Sequence, residues 1–136
     1  MMAVRTIDCP RDVRAGRLGK AEQFARTADI VETLADEDSD VRDAFVTLCV
    51  HAGIAAADVV CCARLGMHAK GESHEQAVQL LGRVDRSLAK ALGILLGLKT
   101  RSGYSHVTTS GTDQTRAKRA MEDLMEAARR EHGAAG

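Results

Sequence analysis

Aromatic residues are scarce in this sequence. Of 136 residues, only Phe24, Phe45 and Tyr104 are aromatic, and tryptophan is absent. Proteins that bind single-stranded nucleic acid without sequence preference stack bases on aromatic side chains, so the chain has little material for such a platform. Lysine and arginine together number 19, and so do aspartate and glutamate. A net charge of zero excludes the general positive field of many nucleic-acid-binding proteins, so any phosphate site must be local.

The cysteine spacing predicts neither a zinc site nor a set of disulfides. The four cysteines, at positions 9, 49, 61 and 62, have neither the paired spacing of a zinc site nor the pattern of a disulfide-rich secreted domain. We expect Cys49 and Cys62 to be small buried hydrophobic residues. Adjacent helical residues point about 100° apart, so Cys61 and Cys62 cannot both face one ion together with His68 and His74. No metal or cofactor site is therefore predicted.

The first ten residues, MMAVRTIDCP, lack an apolar signal core. We also expect no segment with the roughly 20 apolar residues that a membrane span requires. These features predict a cytoplasmic protein with no membrane partner. The length of 136 residues fits one domain with a single hydrophobic core.

Apolar residues recur at steps of three and four along most of the chain, which predicts helices. The predicted helices span residues 11–35, the acidic turn 36–40 to about 69, 73–103, and 112–130. Ser73 and Gln76 form a capping box that opens the third helix, and Gly103 ends it. No strand is predicted, because the β-rich run Val107–Thr109 has no partner run.

Short connections between the helices favour an antiparallel bundle. The sequence therefore predicts an all-α fold of four to five helices. Residues 1–10 are expected to form a flexible N-terminal arm, 11–132 a single helical-bundle domain, and 133–136 a disordered tail.

The second helix carries small residues on one face. Ala52, Ala55, Val59 and Cys62 recur at helical spacing, and alanines allow a neighbouring helix to approach closely. We therefore expect this helix at the centre of the bundle.

The second and third helices carry more apolar surface than a core of this size requires. Ile54, Ile94 and Leu98 are the candidates for this surplus. They favour a homodimer in which these side chains are covered by a second copy.

Asp58 is the one charged residue in a run of small and apolar residues on the second helix. Helical spacing places it on the same face as His51 and Ile54, so an acid and an imidazole can line one groove. There Asp58 can tune a base or orient an arginine. The alternative is a carboxylate at the edge of the core, neutralised by an arginine of the third helix such as Arg83 or Arg86.

Arg101 and His106 are the candidate catalytic residues. A guanidinium binds phosphate through two parallel hydrogen bonds, and histidine can exchange a proton near neutral pH. Together they suffice for metal-independent RNA cleavage, in which His106 deprotonates a 2′-hydroxyl and Arg101 stabilises the charged transition state. Positions five apart on a helix lie about 140° from each other, so a joint site requires a break at Gly103 or a second protomer. The alternative is a surface arginine and a loop histidine.

The segment VHAGIAAADVVCCARLGMHAKGESHEQAVQLL resembles the central hairpin of the HEPN (higher eukaryotes and prokaryotes nucleotide-binding) superfamily. It has an alanine-rich helix, a glycine-containing turn and His74 before an apolar helix. The ending LLGLKTRSGYSH is similar to the family's later helix, where some branches carry Arg-x4-6-His and others an Arg or Lys followed by Tyr. Arg101 and His106 suit the first pattern, whereas Lys99, Arg101 and Tyr104 suit the second.

This resemblance, over roughly residues 40–130, implies a four- or five-helix bundle that is usually dimeric. Catalytic members are metal-independent endoribonucleases of toxin–antitoxin or antiviral systems, and their site gathers the Arg and His of both protomers. It thus implies an RNA or nucleotide ligand and an antitoxin or other protein partner. As supporting residues we take Asp58, Ser102, Tyr104 and Lys99.

Catalytic branches often place Asn, Asp or His directly after the arginine, where this chain has Ser102. Non-catalytic branches use the same bundle to bind nucleotide, RNA or a protein partner. The sequence therefore leaves two functions open: a dimeric RNA-cleaving enzyme, and a binding or dimerisation module without catalysis.

Overall fold

The computed structural model describes residues 4–70 and 73–136, which form five helices and one two-stranded sheet. The elements in chain order are β1 (Thr6–Asp8), α1 (Arg11–Leu34), α2 (Asp38–Leu65), β2 (Met67–Ala69), α3 (His74–Gly82), α4 (Arg86–Gly103) and α5 (Gly111–Ala135). This architecture confirms the predicted all-α helical bundle.

α2 is the central helix of the bundle, because it packs against α1, α4 and α5. The predicted small-residue face is buried, and Ala55 in its middle is only 1% exposed. A Cβ atom at the neighbouring Gly53 would overlap the side chain of Leu95 on α4. Small residues on α2 therefore allow α4 to approach closely, as the sequence predicted.

We expect the Ala55→Leu substitution to destabilise the fold by about 2 kcal/mol, because added methylenes in a closely packed core force neighbouring side chains to move. The matched control is Ala44→Leu, since Ala44 lies on the same helix and is exposed. The free energies of unfolding can be compared by urea titration. Equal losses in the two variants would contradict the central position of Ala55.

α2 is long and apolar enough to cross a membrane by composition, with a mean hydropathy of 1.9 over an 18-residue window. The expectation that no segment reaches this level was therefore wrong. However, 72% of that window is buried inside the bundle. A helix that is apolar on most sides and covered by other helices is typical of a protein core.

The predicted third helix is divided into α3 and α4. Asp85 caps the start of α4, because its Oδ1 accepts hydrogen bonds from the backbone N–H groups of Ser87 and Leu88 at 2.8 and 3.0 Å. The turn before this cap begins where α3 ends, at Gly82. Apolar spacing continues through the turn, and the sequence prediction therefore missed the break.

α2 ends earlier than predicted, at Leu65 rather than near residue 69. Gly66 adopts a left-handed conformation with φ of 73° and donates a hydrogen bond to the carbonyl of Cys62. This glycine cap frees the next three residues to form β2. Gly71, the predicted end of the helix, lies outside the described residues.

The C-terminal tail is helical, although disorder was predicted from residue 133. α5 continues to Ala135. Arg14 of α1 explains the difference, because its guanidinium donates to Nδ1 of His132 and to the carbonyl of Gly136 at 3.0 and 2.9 Å. The end of α5 is thus attached to the start of the domain.

The N-terminal arm, predicted to be flexible, contacts the bundle through residues 5–9; residues 1–3 lie outside the described range. β1 pairs with β2 in antiparallel register, with Ile7 opposite His68. Cys9 forms a disulfide with Cys62 of α2. Cys62 is buried as predicted, but its disulfide was not expected. Cys49 is a buried free cysteine, as predicted.

Candidate ligand-binding site

A pocket of about 330 Å³ lies among α1, α2, β2, α3 and α4. We call it the basic pocket, because its polar side chains are mostly cationic or protonatable. Its lining residues are Arg17, Ile54, Ala57, Asp58, Cys61, His68, Ala69, Lys70, Ser73, His74, Ala77, Leu92, Leu96 and Lys99.

An ion pair links two sides of the basic pocket. Arg17 of α1 donates from Nε and Nη2 to Oδ2 of Asp58 on α2, at 3.1 and 2.8 Å. Within residues 4–70 and 73–136, no side chain or backbone group donates a hydrogen bond to the other oxygen of Asp58, Oδ1. Arg17 thus neutralises the carboxylate while leaving one acceptor oxygen for a ligand.

Asp58 is strongly desolvated. Burial raises the pKa of Asp58 above its ordinary value, and the positive charges of Arg17 and of protonated His68 oppose this rise. Nδ1 of His68 lies 3.9 Å from Oδ2 of Asp58 and 2.8 Å from the carbonyl oxygen of Ala69. The shorter distance is a hydrogen bond, so the backbone of β2 orients the imidazole beside the carboxylate.

Two lysines and a histidine lie on the other walls of the basic pocket. Lys70 follows β2, Lys99 lies on α4, and His74 is the first residue of α3. The N-terminal end of α3 also carries the positive end of the helix dipole. The basic side chains and the helix end therefore attract an anion to the basic pocket, and Asp58 is the single carboxylate that repels it.

The floor of the basic pocket is apolar. It is formed by side chains of three helices: Ile54, Ala57, Ala77, Leu92 and Leu96. Cys61 of α2 also lines the pocket, and burial raises the pKa of its thiol to about 12. Cys61 is therefore a protonated thiol at neutral pH rather than a nucleophile.

Two of the predicted supporting residues, Asp58 and Lys99, line the basic pocket. The partners predicted for Asp58 were wrong, because its charge partner is Arg17 of α1 and not an arginine of the third helix. His51 is exposed and stacks on Phe24, with ring centroids 5.3 Å apart. Of the two residues predicted to share the face of Asp58, only Ile54 lies beside it in the basic pocket.

Arg101 lies in the last turn of α4 and His106 in the loop that follows, and neither residue lines the basic pocket. Nη1 of Arg101 is 3.5 Å from Oδ2 of Asp113, the first-turn acid of α5. Capping of α5 by Ser110, followed by the charge of Arg101, lowers the pKa of Asp113. His106 is exposed and forms no hydrogen bond with Arg101 in the described part of the chain.

The remaining predicted site residues surround this helix end. Tyr104 is 79% exposed, and the hydroxyl of Ser102 donates to the carbonyl of Lys99 at 3.3 Å. Within one chain, the predicted site residues therefore fall into two places. Asp58 and Lys99 line the basic pocket, whereas Arg101, Ser102, Tyr104 and His106 lie at the C-terminal end of α4 and in the loop that follows.

Several pocket residues were missed or set aside by sequence reasoning. Arg17 is one of many arginines on α1, and nothing in its spacing marks it. His68 and His74 flank a predicted helix turn, where histidines usually contact water or helix-end carbonyls. The actual signal was Gly66, since a left-handed helix cap there releases the strand that holds His68.

Metal ligands do not converge in the part of the chain that the structure describes, where no group of three His, Cys, Asp or Glu residues is placed to hold an ion. Cys62, one of the four residues considered for such a site, is occupied by its bond to Cys9.

No family model, curated protein or solved structure matches this chain. The HEPN resemblance therefore stays a prediction from short motifs.

Proposed function

We propose that this protein is a HEPN-like helical module that binds a nucleotide, with the phosphate held among the cations of the basic pocket. The supporting observation is local charge. The chain as a whole is neutral, yet Arg17, Lys70 and Lys99 converge on one pocket that contains a single carboxylate. Such convergence attracts an anionic ligand.

The shape and floor of the basic pocket favour a small organic anion. A volume of about 330 Å³ is near the lower end of the roughly 300–1,000 Å³ range for small-molecule pockets. The apolar floor can bury the flat face of a base, while lysine and arginine bind the phosphate. Oδ1 of Asp58 can accept a hydrogen bond from a ribose hydroxyl or an amino group.

The Lys99→Gln substitution is expected to weaken binding of ribonucleoside 5′-monophosphates about tenfold, because a hydrogen bond to a charged group contributes about 1.5 kcal/mol or more. Isothermal titration calorimetry with each of the four monophosphates measures the change. The corresponding nucleosides should bind the wild-type protein more weakly, since they lack the phosphate.

The matched control is Lys90→Gln, on the same helix. Lys90 is exposed and lines a separate surface groove, so this variant makes the same charge change away from the basic pocket. Equal weakening by both variants, or equal affinity for nucleosides and monophosphates, would contradict the proposal.

A second function is metal-independent RNA cleavage by Arg101 and His106 across a homodimer. The observation that favours it is accessibility. Arg101, Tyr104 and His106 are all exposed in the single chain, as a site shared between two copies requires. Three apolar residues were predicted to lie in the dimer interface. Ile94 and Leu98 line one surface groove, in which Ile94 is partly exposed and Leu98 is nearly fully buried. Ile54 lines the basic pocket instead.

A further inference from the structure

Apart from its disulfide, the N-terminal strand is held mainly by backbone hydrogen bonds rather than by buried side chains. All three residues of β1 are exposed, and Ile7 leaves 43% of its surface in water. A short strand pair without a buried face is only marginally stable. The Cys9–Cys62 bond, which joins residues 53 positions apart, is therefore the strongest tie between this strand and the bundle.

This strand supports a wall of the basic pocket. The pocket residues His68 and Ala69 lie in β2, where Ile7 and Thr6 are their respective partners in β1. The next pocket residue, Lys70, donates its backbone N–H to the carbonyl of Arg5 at 3.0 Å. Three consecutive pocket residues are thus positioned by backbone pairing with the arm.

The same arm also contacts α3, whose first turn borders the basic pocket. The backbone N–H of Arg5 donates to Oε1 of Gln76 at 3.1 Å. Gln76 was expected to complete a capping box with Ser73, but its side chain binds the arm instead. Release of the arm therefore removes support from β2 and from the start of α3 together.

We propose that the Cys9–Cys62 disulfide is a redox switch for the basic pocket, which is complete when the bond is formed and loosened when it is reduced. This inference rests on the proposed nucleotide binding and concerns its regulation. Reduction requires an external dithiol or two monothiols. The S–S bond breaks, each cysteine sulfur gains one electron and one proton, and the reductant leaves as a disulfide.

The properties of the chain's own cysteines indicate that the disulfide is reduced by an external thiol. Cys61, which neighbours Cys62 in sequence, is buried and remains a protonated thiol, so it is a poor attacking group for internal exchange. Cys9 is also buried in the closed form. Because β1 is short and exposed, local opening of the arm is the route by which a thiol reaches the bond.

The test compares oxidised and dithiothreitol-reduced wild-type protein, with thiol content verified by alkylation and mass spectrometry. Adenosine 5′-monophosphate is the binding probe. We expect reduction to weaken its binding about tenfold, and Cys9→Ser to bind weakly with or without reductant. Cys49→Ala is the matched control and should respond to reduction like the wild type, because Cys49 is a free cysteine of α2 outside the basic pocket.

Amide hydrogen exchange gives a readout that does not depend on a ligand. Reduction should speed exchange of the backbone N–H groups of Cys9 and Lys70, while the buried centre of α5 stays protected. Unchanged exchange at these two amides after complete reduction would overturn the switch. Failure of the oxidised protein to bind any monophosphate would instead overturn the proposed function, and faster exchange on reduction would still support the switch in the pocket wall.

Discussion

The Arg17→Ala variant is expected to lose roughly 3 kcal/mol of folding free energy at neutral pH, because it leaves the Asp58 carboxylate buried without its charge partner. Asp58 is only 17% exposed, and both hydrogen bonds that it accepts in the described chain come from Arg17. Arg17 itself is more exposed, so its own packing contributes less than the pairing. Urea titration measures the difference.

The loss should shrink as the pH falls. A carboxyl group whose pKa is raised by folding favours the folded state when protonated, and this contribution is lost as the pH rises through the folded-state pKa. Burial raises the pKa of Asp58, and Arg17 opposes that rise. Removing Arg17 therefore raises the pKa of Asp58 further. Both proteins contain a neutral Asp58 only below the lower of the two pKa values, that of the wild type.

The double variant Arg17→Ala, Asp58→Asn should recover most of the stability, because no buried charge remains. Arg11→Ala is the matched control on α1, since Arg11 is exposed and belongs to none of the described ion pairs. A loss that persists unchanged in the double variant would contradict the assignment of Asp58 as the cause.

The helices were predictable because the side chains that a helix buries recur at steps of three and four, and the sequence shows this spacing directly. The small-residue face of α2 is one example. A helix that packs closely against its neighbours needs small residues at helical spacing, and these are visible in the sequence. Helix ends were less predictable. Gly66 ends α2 and Asp85 begins α4 by local capping, which depends on one or two residues and does not show in the apolar spacing of a whole helix.

The N-terminal strand and the disulfide were beyond sequence reasoning. Pairing of β1 with β2 joins segments about sixty residues apart, and neither three-residue segment shows a strand pattern alone. The Cys9–Cys62 bond likewise depends on the folded position of the arm. Asp58 and Lys99 were found as single residues, but the pocket around them forms only where α1, α2, β2, α3 and α4 meet.

For the cleavage proposal, the His106→Ala variant is expected to lose at least about 100-fold in the rate of RNA cleavage, since a positioned general acid or base contributes roughly 10²–10⁴-fold. Arg101→Ala should lose a comparable factor, because a charged donor at the phosphate stabilises the transition state. Cleavage of a mixed RNA pool, measured in EDTA, is the assay. EDTA should leave the wild-type rate unchanged.

His51→Ala is the matched control, because His51 is exposed and stacks only on Phe24 in the described fold. All variants should keep the wild-type helix content, since Arg101 and His106 are surface residues whose ion pairs or loop contacts contribute little to stability.

A site shared by two protomers also makes a mixing experiment decisive. Heterodimers of His106→Ala with Arg101→Ala contain one intact Arg and one intact His, so they should regain part of the activity if the pair acts across the interface. Catalysis would be contradicted if the His106→Ala protein alone cleaved RNA at the wild-type rate, or if the wild-type protein left the RNA pool intact. The protein would then act by binding a ligand in the basic pocket.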